Sequence, residues 1–133
     1  ESSSSTFNTI NINSEYFSKK RFFLGLKENS EYIKKIKVKI TTLDNYFKKN
    51  KLKKIDLLKI DTEGFELEVL TGVKNNISKV SFILFEHHYD DMIKKSYRFK
   101  DIHNFLIQND FKLIFKAKMP FRKSFEYMYG AKK

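Results

Sequence analysis

The sequence contains no cysteine and no tryptophan, a single proline (Pro120) and four glycines in 133 residues. Without cysteine there is no disulfide framework, no thiolate metal site and no cysteine nucleophile. The glycines form neither a G-x-G-x-x-G run nor a P-loop, which excludes both of those phosphate-binding signatures. Ser2 to Ser5 form a plain run with no nucleophile-elbow context, so serine-based catalysis is not indicated. No apolar stretch approaches the roughly 20 residues of a membrane helix. The first ten residues lack a signal-peptide layout. The chain is accordingly read as cytoplasmic, and as a piece of something longer.

Acids and arginine are also scarce. There are 16 Asp+Glu against 27 Lys+Arg, a formal charge of +11. Only three of the 27 cations are arginine. Base readers rely on arginine for bidentate contacts to guanine, so a dedicated nucleic-acid partner is disfavoured despite the basic balance. The abundance of Lys, Asn, Ile and Phe is what an AT-rich coding sequence produces. What is plentiful is aromatic: 14 Phe and 7 Tyr, within 41% hydrophobic residues. That suffices for a core and argues against disorder.

The distribution of charge is less easily explained by codon usage. Lys34 to Lys59 holds ten Lys and two acids, whereas Asp61 to Asp91 holds seven acids and two Lys. The acidic stretch falls where a fold tends to place chemistry.

Residues 1–33 are polar and weakly patterned, which predicts a loop or insert region with a short helix around Tyr16–Phe22. Lys34–Ile40 alternates strictly between Lys and Ile or Val, the pattern of a half-solvated edge strand. Thr41 or Thr42 then caps a short helix containing Leu43, Tyr46 and Phe47. Ile55–Ile60 is an apolar run that predicts a buried, parallel-type strand. A helix is expected from about Phe65 to Asn75, with Phe65, Val69 and Val73 on one face. Val80–Phe85 predicts a second buried strand, ending at Glu86-His87-His88. A helix marked by Phe99, Ile102, Phe105 and Leu106 follows. Two final strands, Phe111–Lys116 and Ser124–Gly130, are joined closely enough to pair antiparallel. Strands alternating with helices imply an α/β fold with a largely parallel sheet. Such sheets bind ligands beyond the carboxyl ends of their strands.

Asp61 and Glu86 fall at two such ends. Glu63 follows Asp61 by two residues, with Gly64 allowing a tight turn or a close approach to a ligand. Two carboxylates so near each other repel, which favours a raised pKa in one of them or a bound cation. That chemistry suits a general base for a hydroxyl or half of a divalent-metal site. The same residues also serve as a helix N-cap and as complements to a helix dipole. His87 or His88 adds an acid/base or ligand candidate. Two adjacent histidines do not readily face one site, and His87 is taken as the next candidate after the acids.

The longer pattern is more specific. Thr42-Leu43-Asp44, then Ile55-Asp56-Leu57-Leu58-Lys59-Ile60-Asp61-Thr62-Glu63-Gly64-Phe65-Glu66-Leu67-Glu68-Val69-Leu70-Thr71-Gly72, then Phe82-Ile83-Leu84-Phe85-Glu86, resembles the FkbM family of S-adenosylmethionine-dependent methyltransferases. The resemblance implies a Rossmann-like class I methyltransferase fold, a seven-stranded mostly parallel sheet whose last strand is antiparallel. This chain would supply its C-terminal strands, with residues 34–133 as the C-terminal half of the domain. The glycine-rich cofactor loop is not among these residues, so the chain alone is expected to be inactive. The implied reaction is O-methylation of a sugar, glycan or other small-molecule hydroxyl. On that reading Asp61, Glu63, Glu86 and His87 are the catalytic candidates, and Asp61 and Thr62 the remaining cofactor contacts. Asp61, Glu63 and Glu86 are the residues available to a divalent metal. Two other readings stand beside it. One is a non-catalytic basic module for nucleic acid or an anionic surface. The other is a half-domain completed by a partner chain, including a homo-oligomer formed through an exposed sheet edge.

Overall fold

A computed structural model describes residues 5–25 and 33–132. The serine run at Ser2 to Ser4 lies outside the described residues. Among the described residues there are four α-helices: α1 (Glu15–Phe23), α2 (Leu43–Asn50), α3 (Glu66–Thr71) and α4 (Phe99–Gln108). Four strands, β1 (Ile55–Ile60), β2 (Val80–His88), β3 (Phe111–Lys118) and β4 (Ser124–Ala131), form one sheet in the order β1-β2-β4-β3. β1 and β2 are parallel, while β4 is antiparallel to both β2 and β3. Three strands therefore run one way and β4 runs against them. This is an α/β architecture with a four-stranded mixed sheet.

The core lies on one face of the sheet. Pairing puts Leu58 beside Ile83, Ile60 beside Phe85, and those two β2 residues beside Tyr129 and Tyr127. Phe85 stacks between the two tyrosine rings, with centroids 5.6 and 5.9 Å away. In α4, Ile102 and Leu106 are four residues apart and so share one helix face. Both are fully buried in the same cluster. Burial pushes the Tyr129 hydroxyl up to about 12, and that hydroxyl meets His103 Nδ1 at 2.8 Å. The opposite sheet face is open. Leu57, Phe82, Ile114 and Phe115 are all exposed there, and a side chain at Gly130 would meet Phe82 and Ile114.

Three expectations change. Residues 33–42 form neither strand nor helix, and Ile36, Val38 and Ile40 are 68%, 55% and 75% exposed. Alternation makes a segment competent to join a sheet, yet a ladder needs a partner, and β1 pairs only with β2 among the described residues. For the same reason β1 is less buried than expected, with Asp56, Leu57 and Lys59 exposed. The helix expected to reach Asn75 stops at Thr71, and residues Lys74–Lys79 form a 3₁₀ turn. The cause is a competing latch. Asp44 in the first turn of α2, capped by Thr42, accepts from the Asn75 backbone and from both Asn75 and Asn76 side-chain amides at 2.8–3.1 Å.

The N-terminal segment is a strap rather than a free linker. The Asn11 amide donates to the Met92 carbonyl and Lys94 to the Thr9 carbonyl. Ile10 bridges Ile93, and Phe7 packs on Phe65 at 5.1 Å. The strap crosses the loops at the carboxyl end of β1 and β2, where the acids lie.

Candidate active site

Beyond β1 the chain turns through two left-handed residues, Glu63 at φ 49° and Gly64 at φ 94°. A non-glycine residue in that region is uncommon and persists where its surroundings fix it. Here the strap does so. Thr6 Oγ1 donates to the Glu63 carbonyl at 2.7 Å, and the Asn8 side-chain amide donates to the Gly64 carbonyl. Glu66 holds the turn from below. Its buried carboxylate accepts from the Gly64 amide at 2.8 Å, from Thr62 Oγ1 at 3.1 Å and from the Tyr97 hydroxyl. Burial and that carboxylate raise the Tyr97 hydroxyl far above its ordinary value. Glu66 is thus a structural acid. The space at Gly64 is taken by the chain itself, since a Cβ there would meet Ile93 Cγ2 at 2.8 Å.

The turn brings Glu63 to the end of β2. Strand β2 continues through Glu86, His87 and His88, so Glu86 and His88 share one face and His87 takes the other. His88 Nε2 lies 3.3 Å from Glu63 Oε2 and 3.4 Å from Glu86 Oε1, and its Nδ1 lies 3.4 Å from Asp90 Oδ2. All four side chains are largely buried. The contacts are ion pairs slightly longer than well-formed hydrogen bonds, and Glu63 Oε2, His88 Nδ1 and Asp90 Oδ2 have no hydrogen-bond partner among the described residues. Burial alone would lower the His88 pKa. The nearby Asp90 carboxylate and the charges of Glu63 and Glu86 outweigh it and raise the value above 6.5. Asp90 is lowered against its own burial by His88 and by the Met92 amide. Glu86 also accepts from Ser124 Oγ at 2.6 Å and lies 3.9 Å from Arg122.

Of the residues singled out in the sequence, the structure therefore brings Glu63 and Glu86 together. Asp61 is half exposed and its contact is with Lys59 at 3.5 Å. Thr62 is bonded to Glu66. His87 is turned away from the acids into an aromatic wall of Tyr89, Tyr97 and Phe99, at 4.8–6.0 Å between centroids. His88, weighed in the sequence but ranked behind His87, joins the two glutamates, and Asp90, which the sequence reading did not single out, completes the cluster. The signal for His88 was there: period-two alternation pairs it with Glu86 once the strand is extended through both. Among the described residues no group of three His or carboxylate side chains is arranged to hold a metal ion, Asp61, Glu63 and Glu86 included.

A family model, the Methyltransferase FkbM domain, matches residues 1–113. The chain belongs to the FkbM methyltransferase family. Glu63, Glu86, His88 and Asp90 lie within the matched residues, whereas Arg122 and Ser124 lie beyond them. No curated protein and no solved structure matches the chain. No helix among the described residues is long and apolar enough to cross a membrane.

Proposed function

We propose that this FkbM-family chain carries the proton-accepting side of an S-adenosylmethionine-dependent O-methyltransferase acting on a small hydroxylated molecule. The cluster of His88 with Glu63, Glu86 and Asp90 carries this reading. Asp90 orients the His88 ring from Nδ1, and the two glutamates make its Nε2 a stronger base by stabilising the imidazolium that forms. A base whose pKa is moved toward the working pH is well matched to removing a hydroxyl proton. Arg122 and Lys95 limit the negative charge that the three acids would otherwise accumulate.

The fit to the cofactor is partial. Asp61 and Thr62 stand at the strand end where such a group is expected, but Gly64 offers no open cradle because Ile93, Asn8 and Lys95 fill it. The residues of this chain do not enclose the cofactor, and no step is assigned through it. In the full-length gene product, transfer of a labelled methyl group from S-adenosylmethionine to a panel of hydroxylated small molecules tests the proposal. His88→Gln and Glu63→Gln are each expected to lower turnover on the order of 10²-fold or more. Turnover within a few-fold of the parent in both variants would remove these residues from the chemistry.

The half-domain reading draws on a separate observation, the exposed row of Leu57, Phe82, Ile114 and Phe115 on the open sheet face. Exposed apolar side chains gathered on one sheet face suit contact with another surface. Size-exclusion chromatography of the chain tests it: a monomer at tens of micromolar excludes self-association through this face or the β1 edge.

A further inference from the structure

A second recognition element adjoins the acid cluster. An open cleft of about 330 Å³ lies at the carboxyl end of β2, with His88 and Asp90 among its lining residues. Its size is at the lower end for small-molecule sites, enough for a single ring rather than an extended chain. One wall is aromatic, formed by His87, Tyr89, Tyr97 and Phe99, and Tyr89 is half exposed. The rim is cationic. Lys95, Arg98 and Lys100 border the cleft, against Asp90 as its one acid. Arg98 is one of only three arginines in the chain, and its planar fork suits a phosphate or carboxylate. His87 is 3% exposed and its Nδ1 has no hydrogen-bond partner among the described residues. A buried polar atom in that state is costly unless something meets it.

We propose that this cleft binds a hydroxylated six-membered ring bearing an anionic group, with the anion on Arg98 and Lys100 and a ring hydroxyl toward His88. The inference rests on the proposed methyl transfer only for the role of that hydroxyl; the binding itself does not depend on it. The aromatic wall supplies contact area for the ring, and the cations select against uncharged rings. His87 stays neutral at neutral pH because burial holds its pKa at about 4, so it contributes an uncharged ring to the wall rather than a further cation to the rim.

Backbone amide spectra of the ¹⁵N-labelled chain test this without any cofactor. The probes are glucose 6-phosphate against glucose, 3,4-dihydroxybenzoate against catechol, and inorganic phosphate alone. A sugar or an aromatic source is distinguished by which anionic ring saturates the shifts of residues 95–100. At least one anionic ring is expected to bind about tenfold or more tightly than its neutral counterpart and than phosphate. Arg98→Glu with Lys100→Glu, both exposed positions whose folding the same spectra report, is expected to abolish that preference. No saturable shift with either anionic ring, equal binding of the neutral rings, equal binding of phosphate alone, or unchanged affinity in the double variant overturns the proposal. Failure here leaves the methyl-transfer reading intact, whereas ring binding with no effect of His88→Gln on turnover removes only the latter.

Discussion

Replacing His87 with phenylalanine should make the protein more resistant to acid. His87 is buried on the aromatic wall, and its pKa is depressed from 6.5 to about 4, first by burial and then by the charges of Lys95 and His88. A depressed folded-state value means that stability is full above pH 6.5 and is lost as the pH falls toward 4. At pH 5 an unfolded histidine is almost wholly protonated while the buried one is still mostly neutral. The population ratio is about 30, or about 2 kcal/mol of lost stability, rising to about 3 kcal/mol below pH 4. His88 works in the opposite sense. Its raised value contributes stability below pH 6.5 that is lost as the pH climbs through that value, and this is common to both proteins. Urea unfolding followed by far-ultraviolet circular dichroism, at pH 7.5 and pH 5.0, isolates the His87 share. Between the two pH values the parent should lose about 2 kcal/mol more than His87→Phe. Parallel losses, agreeing within about 0.5 kcal/mol, would show that His87 is not held neutral by burial.

The remaining predictions concern the turn and the base. Tyr97→Phe leaves one bond fewer on the buried Glu66 carboxylate and should cost about 1–3 kcal/mol in urea unfolding. Gly64→Ala combines a strained φ with a Cβ 2.8 Å from Ile93. It should destabilise by about 1–3 kcal/mol and accelerate amide exchange in the strap at Asn11 and Lys94. Where the methyl transfer proposed above is measured, kcat/KM should rise with pH through a single step above pH 6.5, the His88 ionisation, and His88→Gln should flatten that step.

Element order was readable because the hydrophobic periods were strong. Ile55–Ile60, Phe99–Gln108 and the closing antiparallel pair lie where alternation and helical spacing put them. Lys34–Ile40 misled because alternation records what a segment can bury, not whether a neighbouring strand is there to receive it. The helix after Gly64 was over-extended because Asp44 reaches the asparagines from 31 residues away, a contact invisible to local pattern. At the site, the strand-end positions led to Glu63 and Glu86 but not to the geometry of their meeting at His88. That depends on a left-handed Glu63 and on a strap built from residues that read as linker. The choice between His87 and His88 turned on how far β2 runs, since one residue of register exchanges an acid cluster for an aromatic wall.

The order β1-β2-β4-β3 has a consequence for synthesis. Strand β4, the last of these four in chain order, occupies an interior place in the sheet and lies beyond residue 113, where the family match stops. Until residues 124–131 have been made, Phe85 lacks both of its stacking tyrosines and Glu86 lacks Ser124. Folding of this sheet therefore waits on residues 124–131, and a nascent chain arrested before Ser124 exposes the β2 edge and leaves Glu86 without one of its partners at once.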